Sequence, residues 1–145
     1  MNTPPFDIFL VATPGLEAPL ADEARAAGFI DAKIIDGGVT FPGSWPDVWR
    51  ANLMLRGATR VLARIASFRA MHLAQLDKRA RKLAWGAVLR PDVPVRVEAS
   101  CRKSRIYHAG AAAERVATAI AQELGAPVVT DDNALTVMVR IENDL

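Results

Sequence analysis

The sequence predicts an α/β (α+β) protein of two small units in series. Two side-chain periods alternate along the chain, one of two residues for strands and one near 3.6 for helices. Glycine or proline stands at nearly every changeover. The order read this way is β-α-β-β-α-β over residues 1–68, and a new pattern then starts that fills residues 69–145.

Phe6–Val11 is a short apolar run and reads as the first strand. Thr13 is placed to cap the helix that follows, with Pro14 at its first position, where a missing N–H is harmless. Leu16, Leu20 and Ala24 repeat every four residues, and Gly28 ends that helix. Lys33–Ile35 and Val39–Phe41 flank Asp36-Gly37-Gly38, residues that tolerate the positive φ of a hairpin turn. Ser44 and Pro46 open a second helix that reaches Leu55 and stops by Gly57, and Arg60–Phe68 reads as the fourth strand. The order is that of a ferredoxin-like domain, a fold that hosts many unrelated functions.

In the second unit, Leu73, Leu76, Ala80 and Leu83 mark a helix whose other positions include Lys78, Arg79, Arg81 and Lys82. Pro91 and Pro94 bound a loop. Pro94–Ser100 and Leu135–Ile141 alternate as strands, and a helix from His108 to Leu124 is closed by Gly125. The last strand lies close to the end of the chain, and an alternating strand there is an edge that wants a partner.

Charge is segregated. Residues 1–49 sum to −5, residues 50–105 to +11 and residues 106–145 to −4. A basic block of that density points to an anionic partner, with nucleic acid the first candidate. The opposing possibility is a solvated face with acidic neighbours folded over it. The single cysteine, Cys101, excludes an internal disulfide and fits a reducing cytoplasm. No apolar run has membrane-spanning length, and the N-terminal residues lack the basic leader of an export signal.

Enzyme signatures are sparse. Gly37-Gly38 sits in a hairpin, not in a phosphate loop between strand and helix. His72 and His108 lack metal-ligand spacing, and a Cys101/His108 nucleophilic pair has no orienting third group. Arg60 and Arg64 are candidate phosphate contacts. Lys78, Arg79, Arg81 and Lys82 lie on the polar side of an amphipathic helix, where solvation is favoured over binding. The strongest candidate site is Arg102-Lys103-Ser104-Arg105-Ile106-Tyr107-His108, between a strand end and a helix start. Free N–H groups at a helix start favour anions, arginine grips phosphate through a planar fork, and Tyr107 and His108 offer flat faces to an unpaired base. Against this, Tyr107 could plug the core while the cations stay solvated.

Four segments, Ala-Thr-Pro-Gly-Leu-Glu (12–17), Gly-Gly-Val-Thr-Phe (37–41), Ala-Asn-Leu-Met-Leu-Arg-Gly-Ala-Thr-Arg-Val-Leu (51–62) and Arg-Lys-Ser-Arg-Ile-Tyr-His-Ala-Gly-Ala-Ala-Ala-Glu-Arg-Val (102–116), occur in that order. Together the chain resembles the N-terminal region of the THUMP-containing, S-adenosylmethionine-dependent RNA guanine-N2 methyltransferases, and most closely the bacterial type that modifies large-subunit ribosomal RNA. The resemblance implies a ferredoxin-like domain over residues 1–68 and a THUMP domain, incomplete at its C-terminus, over residues 69–145. It implies a cytoplasmic, RNA-binding role in rRNA processing, with rRNA the expected partner and tRNA a possible one. Arg102, Lys103, Ser104, Arg105, Tyr107 and His108 fall in the THUMP segment implicated in holding RNA.

One departure bears on chemistry. The family's catalytic motif is Asn or Asp followed by Pro-Pro and an aromatic. Here Asn2-Thr3-Pro4-Pro5-Phe6 is split by a threonine and precedes the first strand. The expectation is therefore a recognition region with no catalytic residues, metal or cofactor of its own. A downstream Rossmann-like domain would bind S-adenosylmethionine and perform the transfer. The alternative is a stand-alone THUMP-type RNA-binding or tRNA-modification module.

Overall fold

The structure, a computed structural model, describes residues 4–145 and divides between Ile65 and Ala66 into two compact units. Asn2 and Thr3 of the split Pro-Pro motif lie outside the described residues.

The first unit runs β1 (Phe6–Ala12), α1 (Glu17–Ala26), β2 (Lys33–Ile35), β3 (Gly38–Gly43), α2 (Trp45–Met54) and β4 (Ala58–Ala63). Its four strands pair antiparallel in the order β2-β3-β1-β4, the ferredoxin-like arrangement. Ile8, Leu10, Leu20, Ala24, Val39 and Phe41 are among the residues that form the core between sheet and helices.

Thr13 does not cap α1. The helix starts at Glu17, because Thr13-Pro14-Gly15-Leu16 closes a turn first (Leu16 N–H to Thr13 O, 2.9 Å) and Gly15 adopts φ +92°, outside helical space. At its other end Gly28 (φ +100°) forms a Schellman cap, with Phe29 N–H reaching Ala24 O and Gly28 N–H reaching Arg25 O, both at 3.0 Å. The opening of α2 follows the sequence: Ser44 N–H donates to Asp47 Oδ2 at 2.9 Å, and Pro46 lies in the first turn. In contrast to the expected Arg60–Phe68, β4 spans Ala58–Ala63, and Phe68 packs against the core of the second unit. Gly38 is required by close approach, since a Cβ there would lie 1.9 Å from the Leu10 carbonyl oxygen.

The second unit contains α3 (Leu73–Arg81), a short 3₁₀ turn (Trp85–Ala87), β5 (Val95–Arg102), α4 (Ala109–Leu124) and β6 (Leu135–Glu142). The strands β5 and β6 pair in parallel from Val95↔Leu135 to Arg102↔Glu142, joined through α4 as a β-α-β unit. Both helices contact each other, and Leu76, Ala80, Val116, Ala119, Ile120 and Ile141 are buried in the shared core. The 3₁₀ turn was not legible in the sequence. It buries Trp85, whose indole Nε1–H donates to Ala80 O at 2.9 Å and so satisfies its polar atom.

Candidate nucleic-acid interface

Because β5 and β6 are parallel and in register, they end side by side at Arg102 and Glu142, and the loop 103–108 leads from the end of β5 into α4. Ligands of parallel α/β sheets commonly sit beyond the carboxyl ends of the strands. The cluster 102–108 occupies that place.

Lys103 takes φ +49°, a left-handed turn that few side chains favour and that reverses the chain out of β5. Ser104 Oγ then donates to Arg102 O at 2.9 Å and accepts Asp144 N–H at 3.1 Å. Arg105 N–H donates to Asp144 Oδ1 at 2.8 Å, and Asn143 N–H reaches Arg102 O at 3.3 Å. Asn143 and Asp144 are themselves left-handed (φ +52° and +65°). The loop after β5 and the turn after β6 are thus laced together, and Ala70 N–H joins them through Asp144 O at 2.9 Å.

The lacing sets the side-chain directions. Ile106 is buried (4 % exposed), whereas Tyr107 stands 84 % exposed. Isoleucine therefore plugs the core, and the alternative in which Tyr107 does so is removed. His108 caps α4, its Nδ1 accepting Ala111 N–H at 3.1 Å. The N–H groups of Ala109 and Gly110, in the first turn, have no carbonyl one turn back to receive them.

The electrostatics are less lopsided than the charge count. Glu142 faces Arg102 at 3.9 Å and Arg140 at 2.9 Å, and Asp144 faces Arg105 at 3.9 Å. Acids of residues 106–145 are thus folded over part of the basic block. Lys103 is exposed and has no side-chain partner among the described residues. Sequence reasoning missed Glu142 and Asp144, whose only signal was an acidic turn after a strand.

The two candidates on the first unit are placed differently from the cluster. Arg60 sits exposed in β4, and Arg64, just beyond that strand, pairs with Asp7 at 3.1 Å. His72 serves as a helix cap, its Nδ1 accepting Gln75 N–H at 3.2 Å. Burial pushes the Cys101 thiol above its ordinary range, which disfavours the thiolate a nucleophile would need. Among the described residues no three potential ligands come together to hold a metal ion, and no helix is long and apolar enough to cross a membrane.

The comparisons with known proteins agree with this architecture, a mixed α/β fold consistent with a ferredoxin-like domain followed by a THUMP-type domain. Residues 7–62 match the model of the RlmL ferredoxin-like domain. The chain is homologous to the ribosomal RNA large subunit methyltransferases K/L: 35 % identical over 116 residues to that of Syntrophotalea carbinolica and 32 % over 117 residues to that of Methylococcus capsulatus. These alignments cover 80 % and 81 % of this chain but only 16 % of either relative. A Listeria monocytogenes protein described as a predicted N6-adenine-specific DNA methylase superposes with TM-score 0.81 at 27 % identity, covering 97 % of this chain and 38 % of that one. TrmN from Thermus thermophilus shares the fold, with TM-score 0.76 at 22 % identity over 96 % of this chain and 43 % of that one.

Proposed function

We propose that this chain is the RNA-binding, substrate-positioning region of an RNA methyltransferase, with large-subunit ribosomal RNA as its target. In this reading the second unit acts as a THUMP domain. The loop Arg102–His108 grips phosphate with Arg102, Lys103 and Arg105, Ser104 and the first-turn N–H groups of α4 add donors, and Tyr107 and His108 stack on an unpaired base. Arg60 and Arg64 supply further phosphate contacts on the first unit. A guanine is held for N2 methylation by a separate Rossmann-like domain.

The observation that carries the reading is the exposure of Tyr107 beside the buried Ile106. A large aromatic ring held out in solvent by an anchored neighbour, among cations at a helix mouth, matches how proteins read unpaired bases. The methyltransferase relatives supply the reaction class.

S-adenosylmethionine does not fit the residues present. The loop from β5 to α4 carries Arg-Lys-Ser-Arg-Ile-Tyr-His, and Gly110 within α4 has only the His108 ring near its missing Cβ, at 3.6 Å. Between β5 and α4 the described residues hold no glycine cradle of the kind such cofactors use. In this reading the cofactor is bound by the separate Rossmann-like domain.

Fluorescence anisotropy with a labelled ribosomal RNA stem-loop at two salt concentrations tests the reading. The expected result is salt-sensitive binding that the triple variant Arg102→Ala/Lys103→Ala/Arg105→Ala loses while keeping its circular dichroism spectrum. Equal binding by both proteins would move the site elsewhere.

A further inference from the structure

The helix α3 sorts its charges by face. Asp77 pairs with Arg81 at 3.1 Å, and Arg81 also meets Gln122 and Glu123 of α4. That flank is neutralised. Positions 75, 78, 79 and 82 follow the i, i+3, i+4, i+7 spacing of a different flank, which therefore carries Gln75, Lys78, Arg79 and Lys82. Lys78, Arg79 and Lys82 are exposed, and none has a side-chain hydrogen bond or ion pair among the described residues.

Such an arrangement is costly in isolation. Lys78 and Lys82 stand at i,i+4 with the same sign, a destabilising pair, when an acid at either position would be stabilising. The helix dipole favours cations in a last turn and offsets part of the repulsion. It does not account for the absence of any acid on that flank, because Asp77 on the other side serves Arg81. Arg102 and Arg105 at the sheet end and Arg81 on the flank toward α4 each face an acid, whereas Lys78, Arg79 and Lys82 gather three cations without a side-chain partner among the described residues on one flank of a single helix.

The flank is also joined to the loop at the sheet end. Ala70, three residues before α3, is held by Asp144 O, and the Arg105 guanidinium lies 2.9 Å from Met71 Sδ. His72, the cap of α3, follows directly. From Arg105 the surface passes through Met71 and His72 onto Arg79, Lys78 and Lys82, about 15 Å along a helix rising 1.5 Å per residue.

We propose that the outer flank of α3 is a second phosphate track, which carries the RNA backbone away from the base-reading loop at residues 102–108. This rests on the RNA-binding reading of that loop and extends it: the loop reads, and α3 holds the strand that leaves it. The ligand chemistry is a run of phosphodiesters, met by long flexible point charges at Lys78 and Lys82 and by one guanidinium at Arg79.

The test uses the whole chain with a fluorescein-labelled RNA stem-loop bearing a single-stranded tail. Three proteins are titrated over a salt series: the natural chain, Lys78→Ala/Arg79→Ala/Lys82→Ala, and Arg102→Ala/Lys103→Ala/Arg105→Ala. Alanine at these exposed helix positions keeps helix propensity, and circular dichroism checks it; Lys78→Gln/Lys82→Gln is the second variant. The expected result is a fall in affinity for the α3 triple variant, with its log–log salt slope shallower by about 2–3. On removal of the tail, the natural chain should then lose affinity by more than the α3 variant does. If the α3 variant binds like the natural chain while the loop variant fails, the phosphate track is overturned and the loop reading stands. If the natural chain does not bind the probe at all, the loop reading itself fails. Competition by polyglutamate as strong as by RNA at equal charge would assign the flank to acidic protein and overturn the proposal as well.

Discussion

The backbone N–H of Arg105 donates to Asp144 Oδ1 at 2.8 Å across 39 residues of sequence. That bond fastens the turn after β6 to the loop after β5 and decides where Ile106 and Tyr107 point. Asp144 holds a left-handed backbone as well (φ +65°), which asparagine tolerates and alanine does not.

Asp144→Ala should therefore lower the stability of the second unit by about 1–3 kcal/mol, from the lost charge-assisted bond together with the backbone strain. Asp144→Asn keeps an acceptor and the backbone preference, so its urea midpoint should stay near that of the natural chain. Removing the carboxylate beside Arg105 should at the same time tighten RNA binding at low salt. Paired urea and anisotropy titrations measure both effects.

Tyr107 and Ile106 are neighbours with opposite expected phenotypes. Tyr107→Ala should leave stability within about 0.5 kcal/mol, as an exposed residue does, and weaken RNA binding by about 1–3 kcal/mol through the lost stacking face. Tyr107→Phe should bind normally. Ile106→Ala, which removes a buried side chain, should cost about 2–5 kcal/mol of stability. An equal loss of stability in both alanine variants would show that Tyr107 is structural.

His108 caps α4 through Nδ1, and asparagine offers a comparable acceptor. His108→Ala should cost about 0.5–2 kcal/mol in urea unfolding, and His108→Asn should restore most of it. If RNA affinity falls in the asparagine variant despite restored stability, the imidazole face itself contributes to binding.

Adjacent glycines separate backbone conformation from space. Gly37→Ala should cost about 1–2 kcal/mol, because φ is +86° and a Cβ there meets nothing within 4 Å. Gly38→Ala should cost more, about 3 kcal/mol or above, because the new Cβ would lie 1.9 Å from Leu10 O and β1 and β3 would have to part. Thermal melts of the two variants rank the effects.

The Cys101 thiol is raised by burial, so its neutral form is the one the fold prefers. That preference contributes fully below the thiol's ordinary range and is lost as pH climbs through the raised value. Alkylation by iodoacetamide near neutral pH should be slower than for a free peptide cysteine and should accelerate as the pH rises. A rate equal to the peptide's would show Cys101 to be unperturbed.

Much of this architecture is local in origin and was legible. Among the described residues the strands and α-helices follow from periods of two and 3.6, and Gly28 and Gly125 ended α1 and α4 through the positive φ that glycine supplies (+100° and +79°). Boundaries were legible where a side chain or glycine closed an end, as at Ser44. They shifted where a competing turn formed first, as at Thr13, or where the chain turned to a different core, as at Phe68.

The sequence by itself determined the order of the strands and α-helices, the ferredoxin-like pattern of the first unit and the gathering of cations before α4. Only the tertiary structure decided that β5 and β6 run parallel, that Ile106 is buried and Tyr107 exposed, and that Glu142 and Asp144 face Arg102 and Arg105 while Lys78, Arg79 and Lys82 have no side-chain partner among the described residues. The physical reason is the range of the forces involved. Periodicity is written in neighbouring residues, but a loop has no period, and its side chains point where contacts from distant segments hold the backbone.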